Sequence, residues 1–229
     1  SIYSNMIIVQ EKTEGCITLI KYGLLYNWYA ATDARKIFSS DEWVFLTHSQ
    51  WGIFTTYMAS VSTSGGGLKE VGFTYWDAPN TGATNDVGFN ARGAGNRNNG
   101  LFTNLQKQTE YWYNSGYTGN RSGIRLRYNS NLSSNFLAPE HYGRSIRGFK
   151  LSTSLNHLEE ATYIGNNGII YKTKCVDMGG GNKWEFITSN LAETKFRNGD
   201  AIPEVTDNAA WAALTSAGMC AYNNDWDNV

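Results

Sequence analysis

A chain of 229 residues with formal net charge −1 is long enough to bury an ordinary core without disulfide or metal support. The same charge balance argues against a whole-chain nucleic-acid binder, which needs a basic surface to release counterions. Charged residues are 17% and aromatics 14%, and 24 Gly stand against 3 Pro, the composition of a loop-rich β protein rather than a disordered one.

Residues 1–20 read as two short extended runs, 6–9 and 16–20, around a polar turn at 11–15. This arm is expected to serve assembly or attachment. Both runs are too short to cross a bilayer, so no membrane insertion is expected, and the first residues lack the features of an export signal. Residues 22–29 are aromatic-rich and expected to be buried. Thr47 suits the N-cap of a helix reaching Met58, with Trp51, Phe54, Tyr57 and Met58 at helical spacing. Gly65, Gly66 and Gly67 then break the chain. From Val71 to Lys150 no helical period survives, and Gly and Asn punctuate short aromatic segments, which predicts hairpins and loops. The polar stretch 152–162 reads as a linker or short helix. Asn167-Gly168 fits a type I′ turn between Tyr163-Ile164 and Ile169-Ile170-Tyr171. Asp207 suits the cap of a second helix over 208–215, with Gly218 placed to end it. The expected class is therefore α+β, divided into 1–20, 21–151, 152–162 and 163–229.

Three cysteines, Cys16, Cys175 and Cys220, are odd in number and widely spaced, so at most one bridge can form and no zinc knuckle. Residues 92–150 carry nine Lys/Arg against Glu110 and Glu140, a segment of +7 in a chain of −1. It is either paired internally with carboxylates from the rest of the fold or displayed as a basic face for anionic surfaces.

Catalytic signals are weak. There is no Gly-x-Ser-x-Gly elbow, and His48, His141 and His157 fall in a cap, a loop and the linker, so no enzyme is expected. Gly93-Ala94-Gly95-Asn96-Arg97-Asn98 is similar to a dinucleotide loop only on the surface and reads as a turn. Asn223-Asn224-Asp225-Trp226-Asp227-Asn228 offers oxygens of the kind Ca²⁺ takes but lacks the EF-hand glycine and glutamate, so a turn is expected and no cofactor.

Binding signals are stronger. Asn96, Asn98, Asn99, Asn104, Asn114, Asn120, Asn129, Asn131 and Asn135 are interleaved with Tyr111, Tyr113, Tyr117, Tyr128, Ser115, Ser130, Ser133 and Ser134. Tyr gives rigid amphipathic contact area, while Ser and Asn give adaptable hydrogen bonds, the chemistry of recognition loops. The plain alternative is that Asn and Ser fill turns. Alternation along hairpin strands predicts that Tyr111, Tyr113, Asn114, Tyr117, Arg127, Tyr128, Asn129, Asn131, Phe136 and His141 cluster on one exposed surface.

Several spaced motifs, Tyr22-Gly-Leu-Leu-Tyr-Asn-Trp-Tyr-Ala-Ala31, Gly66-Gly-Leu-Lys-Glu70, Trp76, Pro79-Asn-Thr-Gly-Ala-Thr-Asn85 and Gly88-Phe89, resemble the Fibrobacter succinogenes major paralogous domain. So do Asn167-Gly168, Tyr171-Lys172-Thr173, Trp184, Asn190-Leu191, Asn198-Gly199, Ile202-Pro203 and Tyr222-Asn223-Asn224-Asp225, but the two halves stand in exchanged order. A circular permutation accounts for this and places Val229 near Lys21. The rival account is a cut through tandem copies, each half completed by a neighbour. The resemblance implies a C-type-lectin-like fold, with loops around a small twisted antiparallel sheet, and puts Trp28, Trp43, Trp51, Trp76, Trp184 and Trp211 in its framework. It further implies the setting of phage tail fibres and receptor-binding proteins, often variable proteins of diversity-generating retroelements, whose adenine mutagenesis scatters Asn codons. The expected function is recognition of a host surface glycan or protein from the virion, as a homotrimer among other tail proteins. A bacterial surface or secreted structural module and an oxidase-like enzyme of the formylglycine-generating superfold are the rivals.

Overall fold

Short apolar runs broken by Gly and Asn cannot sustain long elements. The computed structural model, which describes residues 18–114 and 121–229, accordingly holds strands of two to eight residues and three short helices, a mixed α+β architecture dominated by sheet. The expected arm up to residue 17, Cys16 within it, and Tyr117 lie outside the described residues.

Strand β1 (Leu25–Tyr26) leads into a four-residue helix α1 (Trp28–Ala31), capped by Asn27, whose Oδ1 accepts from Ala30 N. One turn is too short to show a period, so α1 adds a helix to the two expected. Helix α2 (His48–Val61) starts where Thr47 predicts, with a full capping box between Thr47 and Gln50. Five strands, β2 (Ala94–Asn98), β3 (Leu101–Leu105), β4 (Gln108–Trp112), β5 (Arg121–Arg127) and β6 (Ser134–Ala138), form a sheet in the order β3-β2-β4-β5-β6. The Gly93 to Asn98 segment is thus mostly strand rather than turn.

A second sheet has the order β7-β10-β9-β8, from β7 (Phe149–Leu151), β8 (Glu160–Ile164), β9 (Ile170–Asp177) and β10 (Lys183–Ile187). Residues 152–162 therefore connect the two edge strands of one sheet, and their last three residues already belong to β8, which corrects the reading of a linker or helix. The β8–β9 hairpin forms in the register Tyr163↔Tyr171. Its turn is not type I′, because Gly168 takes φ 79° while Asn167 does not enter the left-handed region. Asn167 donates its backbone N–H to Glu193 Oε2 at 2.7 Å. Helix α3 (Asn208–Ala212) begins at the Asp207 cap but closes at Ala213, short of the expected end, and β11 (Met219–Cys220) pairs with β1.

Both aromatic cores draw on the early and late parts of the chain. One joins Tyr26, Trp28 and Trp112 to Tyr163, Tyr171 and Leu191; the other joins Trp51, Phe54, Phe89 and Tyr111 to Phe149 and Phe186. At the chain end, Lys21 N donates to Val229 O at 2.8 Å and Tyr22 N to Asn228 O at 3.1 Å.

The basic segment is largely internal. Arg97, fully buried, lies 4.4 Å from the ring centroids of both Phe102 and Trp211 and donates to the carbonyls of Val205 and Thr206. Arg147 donates to Asn190, Phe89, Ile187 and Asn90. Glu110, also buried, receives Arg125 at 2.6 Å and Arg144 at 2.5 Å. Guanidinium groups suit this work because their fixed fork of donors can satisfy several carbonyls at once. Of the two readings of this segment, internal pairing is therefore the one that the structure shows, with Lys107 and Arg127 its members left exposed.

Candidate functional site

Helix α2 lies over the five-stranded sheet by burying Trp51, Phe54 and Met58. Trp51 stacks on Tyr111, with centroids 6.3 Å apart and an interplanar angle of 20°. The spacing of i, i+4 and i+7 then puts His48, Gly52 and Thr55 on another face of the helix, turned toward edge strand β6. Between them and Ser133, Ser134 and Asn135 is a cavity of about 200 Å³, floored by Trp51 and Ile124.

The groove between α2 and β6 has two ends. At the start of α2, His48 N donates to Asn114 O, and His48 Nδ1 shares a 2.9 Å hydrogen bond with the Tyr113 hydroxyl. At the far end, the backbone N–H groups of Gly65 and Gly66 both donate to Asn131 O, at 3.0 and 2.9 Å, and Ser133 N donates to Ser64 Oγ. A Cβ on Gly66 would stand 2.0 Å from Gly82 O, so this close approach requires glycine.

Lys69 completes the clamp. It is fully buried, and its Nζ donates to Thr81 O at 2.9 Å, Arg127 O at 3.0 Å and Ser130 O at 3.0 Å. Three carbonyls rather than a carboxylate receive the ammonium, and burial lowers its pKa to about 8. Tyr128 is tied through its own backbone, which donates to Lys107 O and accepts from Thr81 N. The main chain from 127 to 133 is thus fixed by donors and acceptors of the surrounding scaffold. The side chains of Arg127 and Asn129 remain exposed, and those of Tyr128 and Asn131 half-buried.

The ten residues expected on one surface therefore separate. Arg127, Tyr128, Asn129 and Asn131 gather at one end of β5. Asn114, exposed, and His141, half-buried, belong to the other, where Arg121 pairs with Ala138. Six residues of strand place the two ends about 20 Å apart. His141 Nε2 meets Asn99 Oδ1 at 3.0 Å, and burial lowers its pKa. Tyr111, Tyr113 and Phe136 are buried, at 0%, 3% and 5% exposure, which corrects the expectation that they are displayed. The alternation argument presumes one solvated sheet face. Here α2 covers one side of β4 while Phe136 packs on the other side against Trp112, whose indole N–H donates to Tyr26 O. Sequence reasoning missed His48, Gly52, Thr55 and Ser133 to Asn135 as a group. Their signal was the small polar stripe on α2, beside its apolar positions.

Other candidate chemistry is held locally. His157 Nδ1 accepts from Asp177 N, and the Cys175 and Cys220 thiols are free and buried, with burial pushing Cys220 up to about 12. In the acidic-amide end, Asp225 Oδ1 accepts from Asp227 N, while Asn224 and Asn228 donate to backbone carbonyls, so these groups organise 3₁₀ turns.

A family model described as the Fibrobacter succinogenes major domain matches residues 8–171. No curated protein and no solved structure matches the chain.

Proposed function

The chain belongs to the Fibrobacter succinogenes major domain family, and we propose that it acts as a non-enzymatic recognition domain that binds a cell-surface glycan or protein through the α2–β6 groove and the 127–135 loop. The observation that carries this reading is the separation of backbone from side chain. Lys69, Gly65 and Gly66 hold the loop through carbonyls, so the side chains of Asn129 and Asn131 are not needed to fold it, while Tyr128 packs against the core. Amide, hydroxyl and tyrosyl groups on a fixed main chain give contact area at low conformational cost.

The same reading takes the fold as C-type-lectin-like and circularly permuted, supported by the hydrogen bonds that join Lys21 and Tyr22 to the last two residues. It places the chain in a phage tail fibre or tail tip, as a trimer that gains avidity from three copies, and takes the Asn-rich positions as retroelement-diversified. A neighbouring reverse transcriptase gene and an imperfect template repeat would support that setting.

The test replaces Asn129, Asn131 and Asn135 together by Ser. Binding of labelled protein to a panel of gut Bacteroidales cells is then compared with its melting temperature. Loss or redirection of binding with a melting temperature within a few degrees supports the reading, since exposed substitutions usually stay within about 0.5 kcal/mol each. Unchanged binding on every cell that the wild type binds, or a collapse of stability, contradicts it.

A further inference from the structure

A second concave site lies elsewhere, at the β7 edge of the four-stranded sheet. It measures about 520 Å³, and its walls include Glu42, Lys150, Thr153, Ser154, Trp184 and Glu185. That volume falls in the range of small-ligand sites. Lys150 and Glu185 face each other across β7 and β10, and their charged atoms are 3.1 Å apart. Glu185 is almost fully buried, and its other oxygen accepts from the Thr173 hydroxyl at 2.5 Å, so the carboxylate has one fixed orientation. The Lys150 ammonium is likewise steadied 5.3 Å from the Trp43 ring. Apolar surface comes from Val44, Leu151 and Trp184.

We propose that this cleft binds a neutral saccharide unit, independently of the loop groove. The cleft offers the exposed Glu42 carboxylate, the steadied Lys150 ammonium and the hydroxyls of Thr153 and Ser154 beside apolar Val44 and Leu151, which suits a ligand whose every polar group both donates and accepts, beside a C–H surface. Two carboxylates against one already paired ammonium disfavour an anion. A cation finds Glu185 already engaged by Lys150 and Thr173.

Ligand-observed NMR on the full chain decides it, with methyl α-mannopyranoside, methyl β-galactopyranoside and N-acetylglucosamine as probes and N-acetylneuraminic acid as the anionic comparison. Ser154→Arg, at an exposed position, fills the cleft mouth without touching the core. The expected result is millimolar binding of at least one neutral probe, weakened at least tenfold by Ser154→Arg and unchanged in the Asn129/Asn131/Asn135 serine variant. Absence of binding by all neutral probes, equal binding of the acid, or binding that survives Ser154→Arg overturns the proposal. Loss in the serine variant reassigns the sugar to the groove and also overturns it, whereas failure of the cell-binding reading leaves this experiment untouched.

Discussion

Lys69 concentrates the account at the scale of one residue. A lysine in the folded state at about 8, against an ordinary 10.5, means that the unfolded chain holds the extra proton between those two values. Stability contributed by this group therefore rises with pH through that window, and below about 8 both states are protonated and the burial penalty is fully present. Lys69→Met removes three donors and leaves buried carbonyls unpaired, a loss of about 1 to 3 kcal/mol. Because the variant lacks the titration, its deficit relative to wild type should widen from pH 7.5 to 9.5 in urea unfolding. A constant gap would show that Lys69 is not buried as a cation. The role of Lys69 was not legible beforehand, since its three acceptors come from residues 12 to 61 positions away and carry no mark in their own side chains.

At the scale of elements, helix α2 was the most legible part of the chain, because the Thr47 cap and the spacing of Trp51, Phe54 and Met58 are local signals. Strand β4 was the least, because whether Tyr111 and Tyr113 face water depends on what covers the sheet, and α2 is some sixty residues earlier. The Gly52 position separates stability from display. A Cβ there meets nothing within 4 Å, so Gly52→Ala should stabilise the helix by about 0.4 to 1 kcal/mol, read as a higher urea midpoint. Trp51→Ala, one position away but buried, should instead lose about 3 to 5 kcal/mol. A neutral or destabilising Gly52→Ala would mean that the groove face of α2 is covered rather than open.

Across the whole molecule, each large sheet comes from one stretch of the chain, while the aromatic cores and the β1–β11 pair join its early and late parts. The family motifs were readable in the sequence, but how its early and late parts pair was not, since adjacency of Lys21 and Val229 is a tertiary fact. A rearranged chain that starts at Ser154, links Val229 to Thr18 through a short Gly-Ser segment and ends at Thr153 should unfold in one cooperative transition within a few degrees of the original. Residues 18–151 alone should aggregate, because removal of β9 and β10 exposes Phe149 and Trp112 neighbours. The decisive experiment is a library randomised at residues 129, 131, 133, 134 and 135, sorted for protease resistance and then for binding to two unrelated cell surfaces. Most members should remain folded, and each surface should select its own set of sequences. A library that is mostly unfolded, or that yields the same sequences on both surfaces, would contradict the proposed recognition role.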